Sequence, residues 1–262
     1  MANDSIRGFV WYDLMTHDVE GAKAFYGDII GWKATKWPGG DYWMLSIGDK
    51  SYAGLMAHDE AARKAGSPPM WLGYVGVRNV DATAQRAKSL GGKVLAEPRD
   101  IPDVGRFAVL ADPQGAVFAI FSPKPGAGPD GVQNPNDVGN FSWAELNTTD
   151  WKAAWKFYSN LFGWKPTQSM DMGPEYGEYY MFGTSPEKSF GGMSNTAKML
   201  KAPPHWLHYI RVTNVDETVK RIPQKGGKIV NGPMDVPGGD RVAQCVDPQG
   251  GSFAIVSSAA KK

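Results

Sequence analysis

Apolar and polar residues alternate through "FVWYDLM" (9–15), and the following stretch changes to the longer period of an amphipathic helix. In "DVEGAKAFYGDIIG", Asp18 is placed to cap that helix and Gly31 to end it. Short alternating runs at "WKATKW", "DYWMLSI" and "SYAGLMA" read as strands. The order then repeats. "WLGYVGV" reads as a strand, and "NVDATAQRAKSLGG" as a helix with Gly91 and Gly92 at its end. "KVLAE", "RFAVLAD" and "AVFAIFS" read as three further strands, with "DPQG" turning the last pair. Strand, helix and three strands therefore follow one another twice, an α+β order with helices packed on one face of curved sheets.

The whole pattern is itself duplicated. "FVWYDLMTHDVEGAKAFYGDIIGWK" returns as "FSWAELNTTDWKAAWKFYSNLFGWK", an offset of 132 from Trp11 to Trp143. "GGKVL" at 91 returns as "GGKIV" at 226, and "DPQGAVFAI" at 112 as "DPQGGSFAI" at 247, both at offset 135. Three residues are inserted in between, and the turn "GTSPEKS" (183–189), longer than "IGDKS", is the expected place. Pro, Gly and Asn crowd "SPKPGAGPDGVQNPNDVGN" (122–140), a composition suited to a linker. The expected organisation is a first domain over residues 1–123, a linker over 124–138 and a second, similar domain over 139–262.

An Asp-capped helix carrying Phe-Tyr and then Gly-Trp, a Gly-Gly helix end, and Asp-Pro-x-Gly before the last strand together resemble the vicinal oxygen chelate superfamily. That superfamily holds glyoxalases, bleomycin resistance proteins and extradiol dioxygenases. The resemblance covers nearly the whole chain outside the linker and rests on order, spacing and duplication, since no single motif is specific. It implies four βαβββ modules forming two similar eight-stranded half-barrel domains, helices on the outer face and one cavity per half. Many enzymes of the superfamily hold a divalent metal there with His and Glu side chains. Carried over position by position, the ligands' places fall on Trp11 and Trp143, Leu72 and Leu207, and Ala119 and Ala254, with a fourth place near Met56 and Ser194. Trp, Leu and Ala offer no lone pair suited to a hard cation, so no metal and no other cofactor is expected in either half.

Composition narrows the partners. The chain is 42% hydrophobic and 21% charged, ordinary for a globular protein, and its net charge is +1. Residues 1–131 carry 14 basic and 15 acidic side chains and the remainder 14 and 12, so no basic patch for nucleic acid is expected. No run approaches the roughly 20 apolar residues of a membrane span. "MANDSIRGFVWYD" lacks the apolar stretch of a signal peptide, and a cytoplasmic protein is the expectation. A small-molecule ligand or substrate is the expected partner, and a homodimer is open. Cys245, the single cysteine, reads as a small buried residue, with a nucleophile as the alternative. His17, His58, His205 and His208 read as structural or surface residues. His205 and His208 are three apart on a strand and point to opposite faces.

Alternation sorts the first strand of each half. Phe9, Trp11 and Asp13 share one face and Val10, Tyr12 and Leu14 the other; Trp143, Glu145 and Asn147 repeat the odd face in the second half. The even face suits packing under the helix. The odd face is where the resemblance places ligand-contacting groups, which makes Trp11 and Trp143 candidate ligand walls. The same parity adds Tyr74 in the first half and Tyr209 and Arg211 in the second. The tryptophans either contact a ligand or fill a core. Asp13 and Glu145 either form a buried salt bridge, with an arginine such as Arg211 or Arg106, or a backbone hydrogen bond, or act as general acid or base. Three functions follow as expectations: a metal-free binder of a small aromatic or hydrophobic molecule, with bleomycin resistance proteins as precedent; a metal-independent glyoxalase- or hydroxylase-like enzyme using Asp13 or Glu145; and a structural dimer with filled cavities.

Overall fold

The computed structural model describes residues 8–64, 66–125 and 134–258. Part of the expected linker, residues 126–133, lies outside the described residues. The first module runs β1 (Phe9–Thr16), α1 (Val19–Ile30), β2 (Lys33–Lys36), β3 (Trp43–Ile47) and β4 (Lys50–Ala57). After the short α2 (Glu60–Lys64) come β5 (Met70–Gly76), α3 (Val80–Ser89), β6 (Lys93–Ile101), β7 (Gly105–Ala111) and β8 (Val117–Pro123). The third module is β9 (Phe141–Asn147), α4 (Trp151–Phe162), β10 (Lys165–Asp171), β11 (Glu178–Ser185) and β12 (Lys188–Ser194). Then follow α5 (Thr196–Leu200), β13 (His205–Arg211), α6 (Val215–Gln224), β14 (Lys228–Val236), β15 (Asp240–Val246) and β16 (Ser252–Ser258). The strands form two eight-stranded mixed sheets of the same order, β2-β3-β4-β1-β5-β8-β7-β6 and β10-β11-β12-β9-β13-β16-β15-β14. This is the α+β arrangement read from the sequence; α2 and α5 are additions that no periodicity announced.

The insertion between the halves lies elsewhere than expected. Strand pairing gives an offset of 132 from Lys33 to Lys165 but 137 from Ser46 to Gly183. Five residues therefore enter within the β10–β11 hairpin, three lengthening β10 and two the start of β11, while the turn (172–177) keeps the six-residue length of 37–42. One more enters the β11–β12 hairpin as a second bulge, and three are lost again before β13. A longer second strand absorbs the length that the sequence pattern assigned to the hairpin turn. β6 likewise runs on past Glu97 through Pro98, which an edge strand tolerates at its bulge.

Packing cuts across the repeat. One compact unit comprises residues 8–11, 72–125 and 143–206, the second and third modules; the other comprises 12–71, 134–142 and 207–258, the first and fourth. In the first unit, Ala108, Leu110, Phe118 and Ile120 meet Phe157, Tyr158, Leu161 and Phe162 of α4. Phe9, expected on the ligand-facing side of β1, packs instead against Trp164, Phe190 and Trp206 of that unit. It lies near the start of its strand, where the aromatic cluster offers more buried contact than an open sheet face. In the second unit Phe25 and Tyr26 of α1 pack edge-on to Phe253. The second glycine of each Gly-Gly pair permits these approaches, since a Cβ on Gly92 would crowd Phe157 and one on Gly227 would crowd Phe25.

Both units contain the same buried relay. Trp206 Nε1 donates to the Tyr158 hydroxyl (3.1 Å), which donates to Asp112 Oδ2 (3.2 Å). Trp71 Nε1 donates to the Tyr26 hydroxyl (3.0 Å), which donates to Asp247 Oδ2 (3.0 Å). The other oxygen of each Asp accepts the backbone N–H groups that form the Asp-Pro-Gln-Gly turn, from Gln114 and Ala116 or from Gln249 and Gly251. The motif is thus turn chemistry and also ties its module to a helix of the other half. Burial pushes Asp112 and Asp247 above the usual carboxylate range, against the pull of these hydrogen bonds.

Candidate functional site

The strands that carry the repeated tryptophan and acid present two chemically different faces. Ala144 and Leu146 belong to the aromatic core under α4, and Leu14 is fully buried. Tyr12 stacks on Phe141 at 3.8 Å, and Phe141 in turn lies against Trp32 and Trp71. On the alternate face, Asp13 and Glu145 are buried acids, 4% and 9% exposed.

Each acid is held by a tyrosine that the sequence reading did not single out. The Tyr42 hydroxyl donates to Asp13 Oδ1 at 2.6 Å. The Tyr179 hydroxyl donates to Glu145 Oε2 at 3.2 Å and accepts from Trp143 Nε1 at 2.8 Å. A phenol-to-carboxylate hydrogen bond fixes the orientation of the acid in each half. Strand pairing explains how the rings fit: Asp13 lies opposite Gly54 across β1 and β4, and Glu145 opposite Gly192 across β9 and β12. A Cβ on Gly54 would collide with Tyr42 and Asp13, and one on Gly192 with the Tyr179 ring. The glycine thus makes room for the tyrosine to lie across the strand and reach the acid. Trp37 packs edge-on to Tyr42, 6.1 Å between ring centres, and lines an open cleft of about 450 Å³ with Lys36, Pro38, Gly40 and Asp41.

The remaining candidates have these neighbours. Tyr74 lies beside Phe107, on whose ring Arg99 sits at 4.8 Å. Gln244 Nε2 donates to the Tyr209 hydroxyl at 3.0 Å. Arg211, 8% exposed, pairs with Asp240 at 3.0 Å and reaches Ser258 at 3.4 Å; its Nε meets no acceptor among the described residues. Arg106 binds Asp81 and Asp100. The two arginines considered as partners for Asp13 and Glu145 thus form their ion pairs with other acids. An arginine would have to be desolvated to reach these acids, whereas a tyrosine brings a neutral donor at smaller cost.

Donor chemistry at the superfamily's metal positions does not suit a divalent ion. Leu72, Leu207, Ala119 and Ala254 are buried hydrocarbon. Ala119 and Ala254 are the strand partners of Tyr74 and Tyr209, so bulky phenols stand beside the places where a carboxylate ligand would be. Among the described residues no group of three His, Cys, Asp or Glu side chains converges. His17 and His58 rings lie 4.8 Å apart, and burial holds His58 below the usual imidazole value. His208 packs edge-on to Tyr12. Burial pushes the Cys245 thiol up to about 12, which makes it inert near neutrality. No helix among the described residues is long and apolar enough to cross a membrane.

Comparison with known proteins places this geometry. The family model described as the Glyoxalase/Bleomycin resistance protein/Dioxygenase superfamily matches residues 8–120 and 140–255. The anthracycline biosynthesis protein DauV of Streptomyces sp. (strain C5) is 32% identical, the match covering 94% of this chain and 91% of that protein. The putative glyoxylase CFP32 of Mycobacterium bovis is 31% identical, covering 95% of this chain and 94% of its own length. Among solved structures, the Mn(II)-bound glyoxalase from Novosphingobium aromaticivorans superposes with a TM-score of 0.67 at 18% identity, over 98% of this chain and 83% of that one. The 2,3-dioxygenase LapB from Pseudomonas sp. KL28 gives 0.65 at 12%, over 97% and 94%. At these identities the structural matches speak for the fold.

Proposed function

Because the chain belongs to the glyoxalase/bleomycin resistance protein/dioxygenase superfamily, we propose that it binds a small planar aromatic or hydrophobic molecule without a metal ion. The ligand lies against the face bearing Trp143 and Glu145 in the second half, and against the matching Trp11 and Asp13 face in the first. The observation that carries this reading is Tyr179, which links the Trp143 indole to the Glu145 carboxylate, with Tyr42 holding Asp13 in the same way. An aromatic wall with a few fixed polar groups is the usual make-up of a small-molecule site. Likeness to a protein of anthracycline biosynthesis along almost the full length supports an aromatic ligand of more than one ring. Calorimetric titration with 2-naphthol tests the reading. Trp143→Ala is expected to weaken binding by about 1–3 kcal/mol through loss of a buried aromatic anchor. Binding unaffected by loss of both Trp11 and Trp143 would overturn it.

The hydrogen bond from Tyr42 to Asp13 favours one second reading, a metal-independent enzyme. In it, Asp13 or Glu145 takes a proton from the bound molecule while the tyrosine hydroxyl steadies the carboxylate. The relative named as a putative glyoxylase supports this branch. Asp13→Asn and Glu145→Gln separate the two: turnover in a glyoxalase assay that disappears while 2-naphthol binding persists marks an enzyme. No turnover by the unaltered protein leaves the binding reading.

A further inference from the structure

The two ligand-facing surfaces part company one step beyond the acid. In the first half Met15 follows Asp13 on the same face of β1, and its strand partner on β4 is Met56. At the matching places the second half has Asn147 and Ser194, again strand partners. The residue that opens β5 is Met70, and the one that opens β13 is His205. Three methionines in one half thus correspond to asparagine, serine and histidine in the other.

In the second half these polar groups meet at the ends of β9 and β12 and the start of β13. Asn147 and Ser194 are 3% and 1% exposed. Ser194 Oγ shares a 2.7 Å hydrogen bond with Thr196 Oγ1. His205 Nδ1 faces the Pro203 carbonyl at 2.9 Å. A carbonyl only accepts, so Nδ1 carries a proton, and in that tautomer Nε2 is the acceptor. Nε2 lies 3.5 Å from Asn147 Nδ2, which therefore donates to it. The amide orientation follows, and it leaves Asn147 Oδ1 as the remaining acceptor of this hydrogen-bonded series. That oxygen is buried and meets no donor among the described residues. Leaving a buried acceptor unpaired is destabilising, and the first half avoids that with methionine.

We propose that Asn147, with Ser194 and His205, forms a hydrogen-bonding subsite that receives an O–H or N–H donor of the ligand, while Met15, Met56 and Met70 make the first half select an apolar edge. Methionine supplies polarizable, adaptable surface that suits an unsubstituted aromatic rim and offers no strong acceptor. The two halves then hold different ligands, or different edges of similar ones. This inference rests on the aromatic-binding reading above and adds to it a rule for substituents.

The test uses 2-naphthol and 2-methoxynaphthalene, which differ in the hydroxyl proton, with calorimetry on the full chain and on Asn147→Met. At the second-half site the unaltered protein is expected to prefer 2-naphthol about fivefold to tenfold, the worth of one hydrogen bond to a buried acceptor. Asn147→Met should reduce that preference to within about twofold. Equal binding of the two compounds by the unaltered protein, or a preference that survives Asn147→Met, overturns the subsite. A ligand-free arm keeps it decidable if neither compound binds, an outcome that removes the aromatic reading alone. Asn147→Met should raise the urea midpoint, because an acceptor kept for a ligand is a burden to the empty protein. A lowered midpoint shows Asn147 to be a structural group and overturns the subsite as well.

Discussion

The relays beneath the two long helices and the surfaces around Asp13 and Glu145 have diverged to different degrees. Under the helices, Trp206–Tyr158–Asp112 and Trp71–Tyr26–Asp247 match residue for residue, with every hydrogen bond between 3.0 and 3.2 Å. On the other face, Asp13 becomes Glu145, Met15 becomes Asn147 and Met56 becomes Ser194. The helix side is close-packed, and a changed side chain there must satisfy a ring of buried partners at once. On the binding reading proposed above, the opposite face answers to its ligand, which leaves each half free to change. Duplication persisted where packing demands it and lapsed where chemistry is chosen.

The largest effect that would break this comparison lies in the relays. Tyr158→Phe leaves Asp112 Oδ2 and Trp206 Nε1 without their partner and should cost about 1–3 kcal/mol for each orphaned group. Tyr26→Phe should cost a similar amount, measured by urea denaturation. A large loss from one and none from the other would show that the two relays are not equivalent. Next in size are the glycines beneath the tyrosines. Gly54→Ala and Gly192→Ala force Tyr42 and Tyr179 off their acids, with an overpacking cost of about 1–3 kcal/mol. Weakened 2-naphthol binding should accompany that cost, whereas the relay variants, if still folded, should keep their affinity.

A smaller effect concerns pH. Burial raises Asp112 and Asp247, so each adds stability below the ordinary carboxylate range and gives it up as pH rises through its own raised value. Asp112→Asn and Asp247→Asn should flatten that stretch of the stability profile, whatever their effect on its height. An unchanged slope in both variants would count against burial as the dominant influence. The smallest expected signal is chemical. With its thiol pushed up to about 12, Cys245 should resist a thiol reagent at pH 7 in the native protein and react after unfolding.

Much of this was legible in the sequence, for physical reasons that also mark where legibility stopped. The helix with its Asp cap and glycine stop, the period-two strands and the Asp-Pro-Gln-Gly turns are local features, and they gave the module order. Tyr42 and Tyr179 were missed because they act across a strand pairing whose register an insertion disguised. Aligning "DYWML" (41–45) with "EYYMF" (178–182) at offset 137 would have exposed them as a repeated pair. Placing the insertion in the next hairpin hid that alignment. The relay is half visible: the Phe-Tyr of each helix stands out as a motif, but the Asp it binds lies in the opposite half, and no local pattern predicts that the second module packs with the third. Phe9 shows the limit of parity, since a residue at a strand end follows the nearest aromatic cluster and not the face of its neighbours.

Indole N–H resonances give the most direct test, because tryptophans stand on both sides of the comparison. Nitrogen-15 spectra of the full chain would be recorded during titration with 2-naphthol, with Trp11, Trp71, Trp143 and Trp206 assigned by single substitution. Trp143, whose Nε1 donates to Tyr179, and Trp11 should shift to saturation, while Trp71 and Trp206, bound to Tyr26 and Tyr158 in the relays, stay in place. Saturable shifts confined to Trp71 and Trp206, with Trp11 and Trp143 unmoved, would contradict the assignment of the ligand to the tyrosine–acid face.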